Sequence, residues 1–569
     1  MLLQKVTIEH FRGFGKIEVE LDRTTVLIGE NNSGKTSFLE ALRMCLGRTF
    51  SRRSGPFEDY DYHLASKNAQ AGDAGTLSIS LDFAEEKPNE WSAELIQSIP
   101  EVVVVHDGDI RHVTLRVMSE YDKVAKDFVT DWEFLDKRGK GLGPKSKTPI
   151  VLSSVQRLSP VFYLPALRDA ANDFGPRSRF WAPFLRNPSI DPKTRDLLEK
   201  DLNQLNDKII DAHTSLKIVQ EKLAKTCDVV ALGSAEPVSI EALPGRVSDM
   251  LSRTQVTMLA TTGAGLPLAR HGAGTQSLSV LFLFEAFLST MLSQVYDRLS
   301  EPILALEEPE AHLHPSAIRS LWSIISSMKG QKVIATHSGD LLSEVPLSAV
   351  RRFYRSDQGI SVQRLRAGTL NANDVRKIES HIKSTRAELL FSRCWLLCEG
   401  ETEVWVLKDT AAILGIDLER AGVRLVIYGR IGAETLVKVA NDLKIHWCLV
   451  ADGDKSGKDY VHSITPHLEG RVEAKHVILL PASNMEVYLC KAGCGDAYLA
   501  HMSAQKEKLL TSKPGDPEYW DRVCKCLDRT PKETMALEAM MIIKKRGKNA
   551  VPKELKGAIL SAVALSEIA

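Results

Sequence analysis

The 569-residue chain has no net charge, because its 73 lysines and arginines are matched by 73 aspartates and glutamates. This balance excludes a protein that holds nucleic acid by bulk basicity, since such binding needs a large excess of cationic side chains. Long apolar runs are also lacking. The best candidate, around Leu281–Leu292, carries Glu285 in its middle, so we expect no membrane-spanning segment and no membrane partner.

Cysteine is sparse, with nine residues. An odd number in a chain of this size favours reduced thiols and a cytoplasmic location, and the first residues, MLLQKVTIEHFRGFGK, show no signal-peptide cleavage site. The spacings Cys490/Cys494 and Cys524/Cys526 differ from the two-residue knuckles typical of zinc sites. Buried thiols are therefore favoured over a zinc site.

The first strong motif is a phosphate loop. Three short strand patterns lead into GENNSGKTSFLEAL, in which Gly29 and Gly34 bracket four residues and Lys35 and Thr36 follow. In such a loop the backbone N–H groups surround phosphates, the lysine reaches their outer oxygens and the threonine hydroxyl ligates Mg²⁺. The predicted nucleotide-binding residues here are Gly29, Asn31, Asn32, Ser33, Gly34, Lys35, Thr36 and Ser37.

A heptad pattern occupies the middle of the first half. Its apolar positions are Leu198, Leu202, Leu205, Ile209, Ala212, Leu216, Val219 and Leu223. The spacing predicts one helix of about 40 Å, from roughly 1.5 Å of rise per residue. Such a helix is either buried in a bundle or a short projection used for self-association.

Two further motifs follow. The apolar strand pattern PILAL ends at Glu307 and Glu308, where a nucleotide hydrolase needs one carboxylate near Mg²⁺ and one to activate water. The strand pattern VIAT is followed by His337, within reach of a γ-phosphate if these strands share a sheet.

Taken together, these motifs resemble the ABC-type ATPase head of RecF, SMC and OLD-like proteins. The resemblance implies that the loop from Gly272, with Gly274 and Gln276, is the signature motif, that Glu308 is catalytic and that His337 is the switch histidine. It also implies ATP sandwiched in a homodimer or higher homo-oligomer, with each signature completing the other subunit's site. Glu307 departs from the usual aspartate of this motif.

After about residue 385 the strand and helix patterns alternate again, which predicts a small parallel sheet. Glu399 follows the strand pattern CWLLC, with Glu403 four residues later, and Asp452 and Asp454 follow HWCLVA. Ligands bind beyond the carboxyl ends of parallel strands, and clustered carboxylates favour hard divalent cations. The four acids therefore predict a site for Mg²⁺ or Mn²⁺.

The acidic pairs resemble the glutamate-glycine and Asp-x-Asp motifs of Toprim domains. An ATPase head followed by Toprim resembles the OLD (overcoming lysogenization defect) nucleases over nearly the whole chain. This family implies a further acidic ligand and a late catalytic lysine, which match Glu486 and Lys548; Lys544 and Lys545 are alternatives for the lysine. Asn484 stands where some relatives carry aspartate.

The expected fold is α/β, with an N-terminal ABC-type ATPase head, a short helical insert and a C-terminal Toprim domain. The predicted divisions are residues 1–180 and 241–384 for the two head lobes, 181–240 for the insert and 385–569 for Toprim. The expected function is an ATP-binding, metal-dependent DNA endonuclease. Family resemblance adds anti-phage defence, beside an accessory helicase or reverse transcriptase. The alternative is an ATP-switched DNA-binding clamp whose Toprim domain is inert.

Overall fold

The computed structural model describes most of the chain, and the structural statements below concern that part. The described residues are 1–47, 56–64, 69, 71–122, 124, 127–166, 170–174, 178–186, 190–224, 240–251, 254, 256–259, 265–507, 510, 512–527 and 532–568. Cys227, one of the nine cysteines, and the side chain of Leu223 in the heptad pattern lie outside this description.

The strands within this part of the chain are β1 (Leu2–Phe11), β2 (Phe14–Glu20), β3 (Thr24–Gly29), β4 (Leu77–Ala84), β5 (Val104–Val105), β6 (Arg111–Asp122), β7 (Asp127–Leu135), β8 (Val161–Leu164), β9 (Thr257–Leu259), β10 (Gly265–Pro267), β11 (Ile303–Glu307), β12 (Gln331–Ala335), β13 (Val350–Ser356), β14 (Gly359–Gln363), β15 (Cys394–Cys398), β16 (Val423–Ile427), β17 (His446–Ala451) and β18 (Val477–Leu479).

The α-helices are α1 (Lys35–Leu46), α2 (Ala93–Ser98), α3 (Pro149–Leu158), α4 (Ala170–Asp173), α5 (Ala182–Arg186), α6 (Pro192–Ala212), α7 (Thr214–Ala224), α8 (Val247–Leu251), α9 (Ala273–Ala286), α10 (Leu292–Val295), α11 (Pro315–Ser327), α12 (Gly339–Leu342), α13 (Ala372–Ser384), α14 (Glu401–Leu414), α15 (Ala433–Asp442), α16 (Lys455–Ile464), α17 (Glu473–His476), α18 (Met485–Leu489), α19 (Gly495–Leu499), α20 (Ala504–Glu507), α21 (Tyr519–Cys526), α22 (Lys532–Arg546) and α23 (Lys553–Glu567). Short π-helical segments join α9 to α10 and α18 to α19.

The first sheet is antiparallel, in the order β2-β1-β4-β6-β5, with β7 paired to β6. Its strands alternate buried and outward side chains, as in β4, where Leu77, Ile79, Leu81 and Phe83 are buried. This alternation gives the sheet one apolar face. That face packs on a core that includes residues of α1 and α3.

The second sheet has the order β14-β13-β3-β12-β11-β8, and all its pairs are parallel except β13 with β14. Its central strands are continuous apolar runs because both faces are covered. One face shares the core of the first sheet, and the other packs on α9 and α11. Strands from both predicted head lobes, residues 1–180 and 241–384, therefore form one sheet.

The helical stretch Ala273–Val295, made of α9, the π-helical segment and α10, corrects one expectation. Among the described helices it alone is long and apolar enough to cross a membrane by length and composition. The stretch is long because the π-helical segment continues the helix beyond Glu285. Val280, Phe284 and Leu288 are buried in the core beside the parallel sheet. It packs as a core helix of the head.

The predicted heptad helix is broken. The backbone leaves the helical region at His213, whose carbonyl accepts hydrogen bonds from the N–H groups of Leu216 and Lys217, so α6 ends and α7 begins there. The prediction of a single 40 Å helix is therefore wrong, because a heptad pattern does not reveal such a break. Leu205 is 50% exposed and Val219 46%, so the seam is not buried in a bundle of this chain. Self-association through it stays a prediction.

The C-terminal sheet is parallel throughout, in the order β16-β15-β17-β18. Helices α15 and α16 cover one face, while α14, α22 and α23 cover the other. The alternating pattern predicted after residue 385 is confirmed. Because all four strands run the same way, their carboxyl ends meet at one edge.

The head and the C-terminal domain share a continuous core, which includes Leu341 and Ile378 of the head and Trp395 of β15. The buried guanidinium of Arg352 on β13 crosses the boundary and donates hydrogen bonds to the carbonyls of Leu443, Lys444 and Ser392. A buried cation held by several carbonyl oxygens resists sliding of one domain on the other. The structure therefore fixes the C-terminal sheet relative to the head.

Candidate functional sites

The loop after β3 adopts a shape that only glycine tolerates at two positions. Gly29 and Gly34 have positive φ values of 149° and 98°. A Cβ at Gly29 would lie 2.4 Å from the carbonyl oxygen of Phe353, and one at Gly34 would lie 2.5 Å from the Phe14 ring. These contacts seat the loop against β13 and β2 and start α1 directly after Gly34.

Lys35 is held inside this loop. Its Nζ donates to the carbonyl oxygens of Gly29 and Glu30, each at 2.9 Å. Burial lowers the pKa of Lys35 to about 8, although Glu308, Glu307 and Glu30 favour its charged form. The loop therefore presents a cation that sits among backbone carbonyls and close to acids.

Both acids after β11 reach the loop. Thr36 donates a hydrogen bond to Glu307 Oε1, and the hydroxyl of Tyr163 donates to Glu307 Oε2 at 2.5 Å. Glu308 has a positive φ of 41°, and its N–H donates to the carbonyl of Ala335 at the end of β12 at 2.8 Å. Tyr163 could not be predicted from the sequence, because it belongs to no motif and meets Glu307 only because β8 and β11 are neighbours.

A cavity of about 370 Å³ joins these groups. It is lined by Asn31, Asn32, Ser33, Gly34, Lys35, Thr36, Ser37, Glu307, Glu308, Ala335 and His337. Burial and the nearby Lys35 lower the pKa of His337, which favours the neutral imidazole. The structure thus brings together the phosphate loop, both acids and the histidine that the sequence analysis assigned to one site.

The loop that carries His337 is fixed from behind by Glu310. Glu310 Oε1 accepts hydrogen bonds from the Thr336 hydroxyl at 2.5 Å and from the Ser338 N–H at 3.2 Å. These two residues flank the histidine in sequence. A buried carboxylate therefore sets the position of His337, a role that no sequence motif revealed.

Gly274 and Gln276 do not line the phosphate cavity of their own chain. Gly274 packs so closely on the segment after Glu308 that a Cβ there would lie 2.7 Å from the carbonyl oxygen of His312. The Gln276 side chain donates to the carbonyl of His271 at 2.7 Å. The predicted signature therefore lies apart from the phosphate loop within one chain.

The second group of acids gathers at the carboxyl edge of the C-terminal sheet. Glu399 directly follows β15 and Asp452 directly follows β17, and these strands are paired neighbours. Glu403 lies in the first turn of α14, and Glu486 in the first turn of α18. Asp454 is the N-cap of α16.

Several side-chain oxygens at this edge also cap the N-termini of helices. Glu403 Oε2 accepts from the N–H of Gly400 at 2.9 Å, and Asp454 Oδ1 accepts from the N–H of Gly457 at 2.8 Å. Asn484 Oδ1 likewise accepts from the N–H of Val487 at 2.9 Å. Asn484 therefore caps α18 and aligns the helix that carries Glu486.

The acids strongly perturb one another. Burial, followed by the charges of Glu403, Glu399, Glu486 and Asp454, raises the pKa of Asp452 to about 8. The pKa values of Glu399 and Glu403 are also raised, first by burial. Such shifts mark a place where negative charge is concentrated beyond what the local protein compensates.

Glu399 Oε2 is buried and has no hydrogen-bond partner in the described part of the chain. A buried carboxylate oxygen of this kind, in an all-oxygen donor set, fits a hard divalent cation. No three acidic, histidine or cysteine side chains in the described ranges converge closely enough to hold an ion as placed. Coordination of a cation by these acids would therefore require their side chains to turn inward.

The lysine at this cluster is Lys532, not Lys548. Lys532 Nζ lies 3.0 Å from Glu486 Oε1, and the charges of Glu486, Glu403 and Asp452 raise its pKa against the opposing effect of burial. Lys548 Nζ lies at Gly415, beyond the opposite end of α14. Because α14 has 14 residues, that end is about 20 Å from Glu403.

Lys544 and Lys545 lie in the last turn of α22, whereas Lys532 begins it. Twelve residues of helix separate Lys544 from Lys532, or about 18 Å. Lys544, Lys545 and Lys548 are therefore exposed to solvent and lie away from the acids. Lys532 escaped the sequence analysis because it stands alone, and only the packing of α22 beside α14 brings it to Glu486.

The two sites are joined by an ion pair. Arg393, directly before β15, binds both carboxylate oxygens of Glu30 in the phosphate loop, through Nε and, at 2.9 Å, through a terminal nitrogen. The hydrogen bonding lowers the pKa of Glu30. From Arg393 the five residues of β15 run to Glu399, a span of about 17 Å.

A phosphate loop with its acids and histidine, on a sheet packed against an antiparallel sheet, defines an ABC-type ATPase head. An acid-bearing parallel sheet follows it, and residues 390–454 match the "Overcoming lysogenization defect protein-like, TOPRIM domain" family. The class is thus an OLD-like protein with an ATPase head and a Toprim domain. Residues 1–388 match the model described as "Protein of unknown function (DUF2813)", and the chain belongs to that family.

Three relatives illustrate the likeness. The "Uncharacterized protein YbjD" of Escherichia coli (strain K12) is 26% identical to this chain, and the alignment covers 98% of this chain and 97% of the relative. The "Endonuclease GajA" of Bacillus cereus (strain VD045) is 22% identical, over 82% of this chain and 77% of its own. The "OLD nuclease" of Thermus scotoductus is 24% identical, over 80% of this chain and 82% of its own.

Proposed function

We propose that this protein is a metal-dependent DNA endonuclease of the OLD type, controlled by ATP at the phosphate loop. The observation that carries the proposal is the buried Oε2 of Glu399, which has no hydrogen-bond partner among the described residues and lies within a group of acids whose pKa values are raised. Two relatives that align with 82% and 80% of this chain are named as nucleases, which supports the same activity. A role in anti-phage defence belongs to the proposal through family resemblance.

Five residues would hold the cations: Glu399 and Asp452 at one position, and Glu403, Asp454 and Glu486 at the other. Mg²⁺ or Mn²⁺ bound there would supply an activated water and would stabilise the leaving oxygen. Glu399 and Asp452, which follow adjacent strands, would serve the attacking side. The helix caps at Asp454 and Asn484 keep the other ligands in register.

Lys532 would act on the scissile phosphate. Its ammonium group lies within the acidic cluster, paired with Glu486, and remains protonated at neutral pH because its pKa is raised. A fixed positive charge there would stabilise the negative charge that develops on the phosphoryl oxygens. Lys532 therefore takes the role that the sequence analysis gave to Lys548.

ATP would bind along the phosphate loop, with Lys35 on its phosphates and Thr36 and Glu307 at the accompanying Mg²⁺. Glu308 and the neutral His337 would face the γ-phosphate from the other side of the same cavity. Gly274 and Gln276 of a second copy would complete the site in a homodimer. This is consistent with their position outside the cavity of their own chain.

The experiment is a nicking assay on supercoiled plasmid with Mg²⁺ or Mn²⁺ and with EDTA. We expect metal-dependent cutting by the full chain, abolished in Glu399→Gln. Glu401→Gln is the matched control, because Glu401 is an exposed glutamate two residues away. Equal cutting by Glu399→Gln and the wild-type protein would refute the assignment of the cleavage site to these acids. Absence of metal-dependent cutting by the wild-type protein would refute the nuclease function and would favour an ATP-switched DNA clamp.

The direction of ATP control needs a second assay. Cleavage by Lys35→Ala is compared with and without ATP. Loss of cutting means that ATP binding drives cleavage, whereas cutting that no longer responds to ATP means that bound nucleotide restrains it. Arg43→Ala serves as a control, because Arg43 lies on the same helix in an exposed ion pair with Glu40.

A further inference from the structure

Two cysteines touch beside the acid cluster. Cys490 Sγ and Cys524 Sγ lie 3.9 Å apart. Cys490 is buried and begins the π-helical segment after α18, and Cys524 lies on α21 and is partly exposed. Cys490 follows Glu486 by four residues, so the two side chains share one face of the helical segment.

Helix α21 is anchored where the sulfurs meet. Its Trp520 ring packs against Gly495, where a Cβ would lie 1.9 Å from the ring. Its Asp521 accepts a hydrogen bond from Ser483 at 2.5 Å and lies 3.6 Å from Lys491 Nζ. Packing and polar contacts on α21 therefore hold Cys524 next to Cys490.

We propose that Cys490 and Cys524 are a redox modification site that forms a reversible disulfide under hydrogen peroxide. The partly exposed Cys524 thiolate attacks the peroxide, which breaks the O–O bond, gives a sulfenic acid and releases hydroxide. Cys490 then attacks the sulfenic sulfur, and the S–O bond breaks with loss of a second hydroxide. Two thiols and one peroxide give one disulfide and two waters.

The surroundings divide the roles between the two thiols. The hydrogen bond to Cys524 and burial raise the pKa of Cys490, so Cys490 stays a thiol until the neighbouring sulfenic acid forms. The remaining buried cysteines of the described residues, Cys45, Cys394, Cys398, Cys448 and Cys494, make no sulfur–sulfur contact of this kind. Oxidation is therefore directed to one pair.

The disulfide would move Glu486. An S–S bond is about 2.05 Å long, so the sulfurs must approach by about 1.9 Å. That movement draws α18 toward α21 and shifts Glu486 against Lys532 and the other acids. This consequence rests on the proposed nuclease function, whereas the disulfide itself does not. We expect cleavage to fall at least 10-fold on oxidation and to return with dithiothreitol.

The first test is chemical and independent of DNA cleavage. The full-length protein is treated with hydrogen peroxide and its non-reduced peptides are analysed by mass spectrometry. We expect a cross-linked pair containing Cys490 and Cys524 that is two hydrogens lighter than the free peptides. Cys526→Ser, two residues away on α21, retains this product and Cys524→Ser loses it. Absence of the cross-link in the wild-type protein overturns the proposal.

The second test is the nicking assay before oxidation, after it and after dithiothreitol. Wild-type protein loses activity reversibly, and Cys524→Ser keeps its activity in peroxide. An equal loss in Cys524→Ser refutes control by this disulfide. A cross-link in a protein that cuts no DNA in either state refutes the nuclease function and leaves the modification site standing.

Discussion

At the phosphate loop, backbone groups and one lysine offset the nearby acids, whereas at the carboxyl edge of the Toprim sheet five acids face a single lysine. Lys35 is held by two carbonyl oxygens, and Glu307 accepts hydrogen bonds from Thr36 and Tyr163. At the other site Glu399 Oε2 has no partner among the described residues, and the pKa of Asp452 is raised to about 8.

The difference shows which site the fold completes by itself. A loop whose shape is set by Gly29 and Gly34 is formed before any ligand arrives, so ligand binding there costs little rearrangement. A group of mutually repelling carboxylates stays splayed until cations offset the charge. In the proposed function, the head would supply a preformed nucleotide site, while the Toprim domain would supply a site whose assembly depends on metal.

The largest expected effect tests the single cation in the acidic cluster. We expect Lys532→Ala to lower the cleavage rate about 10²- to 10³-fold, the loss typical when one group that stabilises transition-state charge is removed. Lys548→Ala is the matched control and should change the rate less than about threefold, because Lys548 lies at the far end of α14. A stronger effect from Lys548→Ala would contradict the assignment.

Next comes the preformed site. Lys35→Ala removes a charge-assisted contact worth about 1.5–3 kcal/mol, so we expect nucleotide affinity to fall about 10- to 100-fold. In the wild-type protein, affinity should also decline from pH 7 to pH 9 with a midpoint near 8, because the neutral amine forms above the lowered pKa. Lys35→Arg should flatten this profile in a titration with labelled ATP, and an unchanged slope would contradict the argument.

Metal removal tests the other side of the comparison. The raised pKa values of Asp452, Glu399 and Glu403 mean that these three groups bind more protons in the folded protein than in the unfolded chain between about pH 4 and 8. These groups therefore lower metal-free stability as pH rises through that range, whereas histidines with lowered pKa values, such as His446 and His337, act in the opposite direction. The share of the acids is a few degrees of Tm between pH 5 and pH 8, measured as the difference between the wild-type protein and Asp452→Asn.

Calorimetry with EDTA and with Mn²⁺ measures this effect. We expect Mn²⁺ to raise the Tm at pH 8, and Asp452→Asn to remove the part of the pH dependence that Asp452 contributes while abolishing cleavage. The same change of metal-free Tm between pH 5 and pH 8 in the wild-type protein and in Asp452→Asn would contradict this argument.

The smallest effect concerns the link between the sites. The Glu30–Arg393 pair is roughly half exposed, and pairs of this kind contribute about 0–1 kcal/mol. We expect Arg393→Ala to change the response of cleavage to ATP by no more than about fivefold and to leave cleavage without ATP intact. The double variant Glu30→Arg/Arg393→Glu should restore part of the response of cleavage to ATP. If Arg393→Ala alone leaves that response unaltered, this ion pair does not couple the two sites.

Much of the fold follows from local patterns. The phosphate loop and the acids after β11, β15 and β17 could be predicted because each stands at the end of an apolar strand, where a parallel sheet places its ligands. The break at His213 could not, since the heptad spacing continues through it unchanged. Lys532 could not either, because a lone lysine carries no motif and its meaning depends on which helix packs beside α14.

By itself, the sequence determined the ATPase and Toprim motifs, because glycine requirements, strand ends and short spacings are local properties of a chain. Only the tertiary structure decided which groups that are distant in sequence meet. It paired Arg393 with Glu30, Tyr163 with Glu307 and Cys490 with Cys524. The net charge of zero does not reveal this arrangement. Packing separates a charge-balanced phosphate loop from an acidic sheet edge whose charge is not compensated.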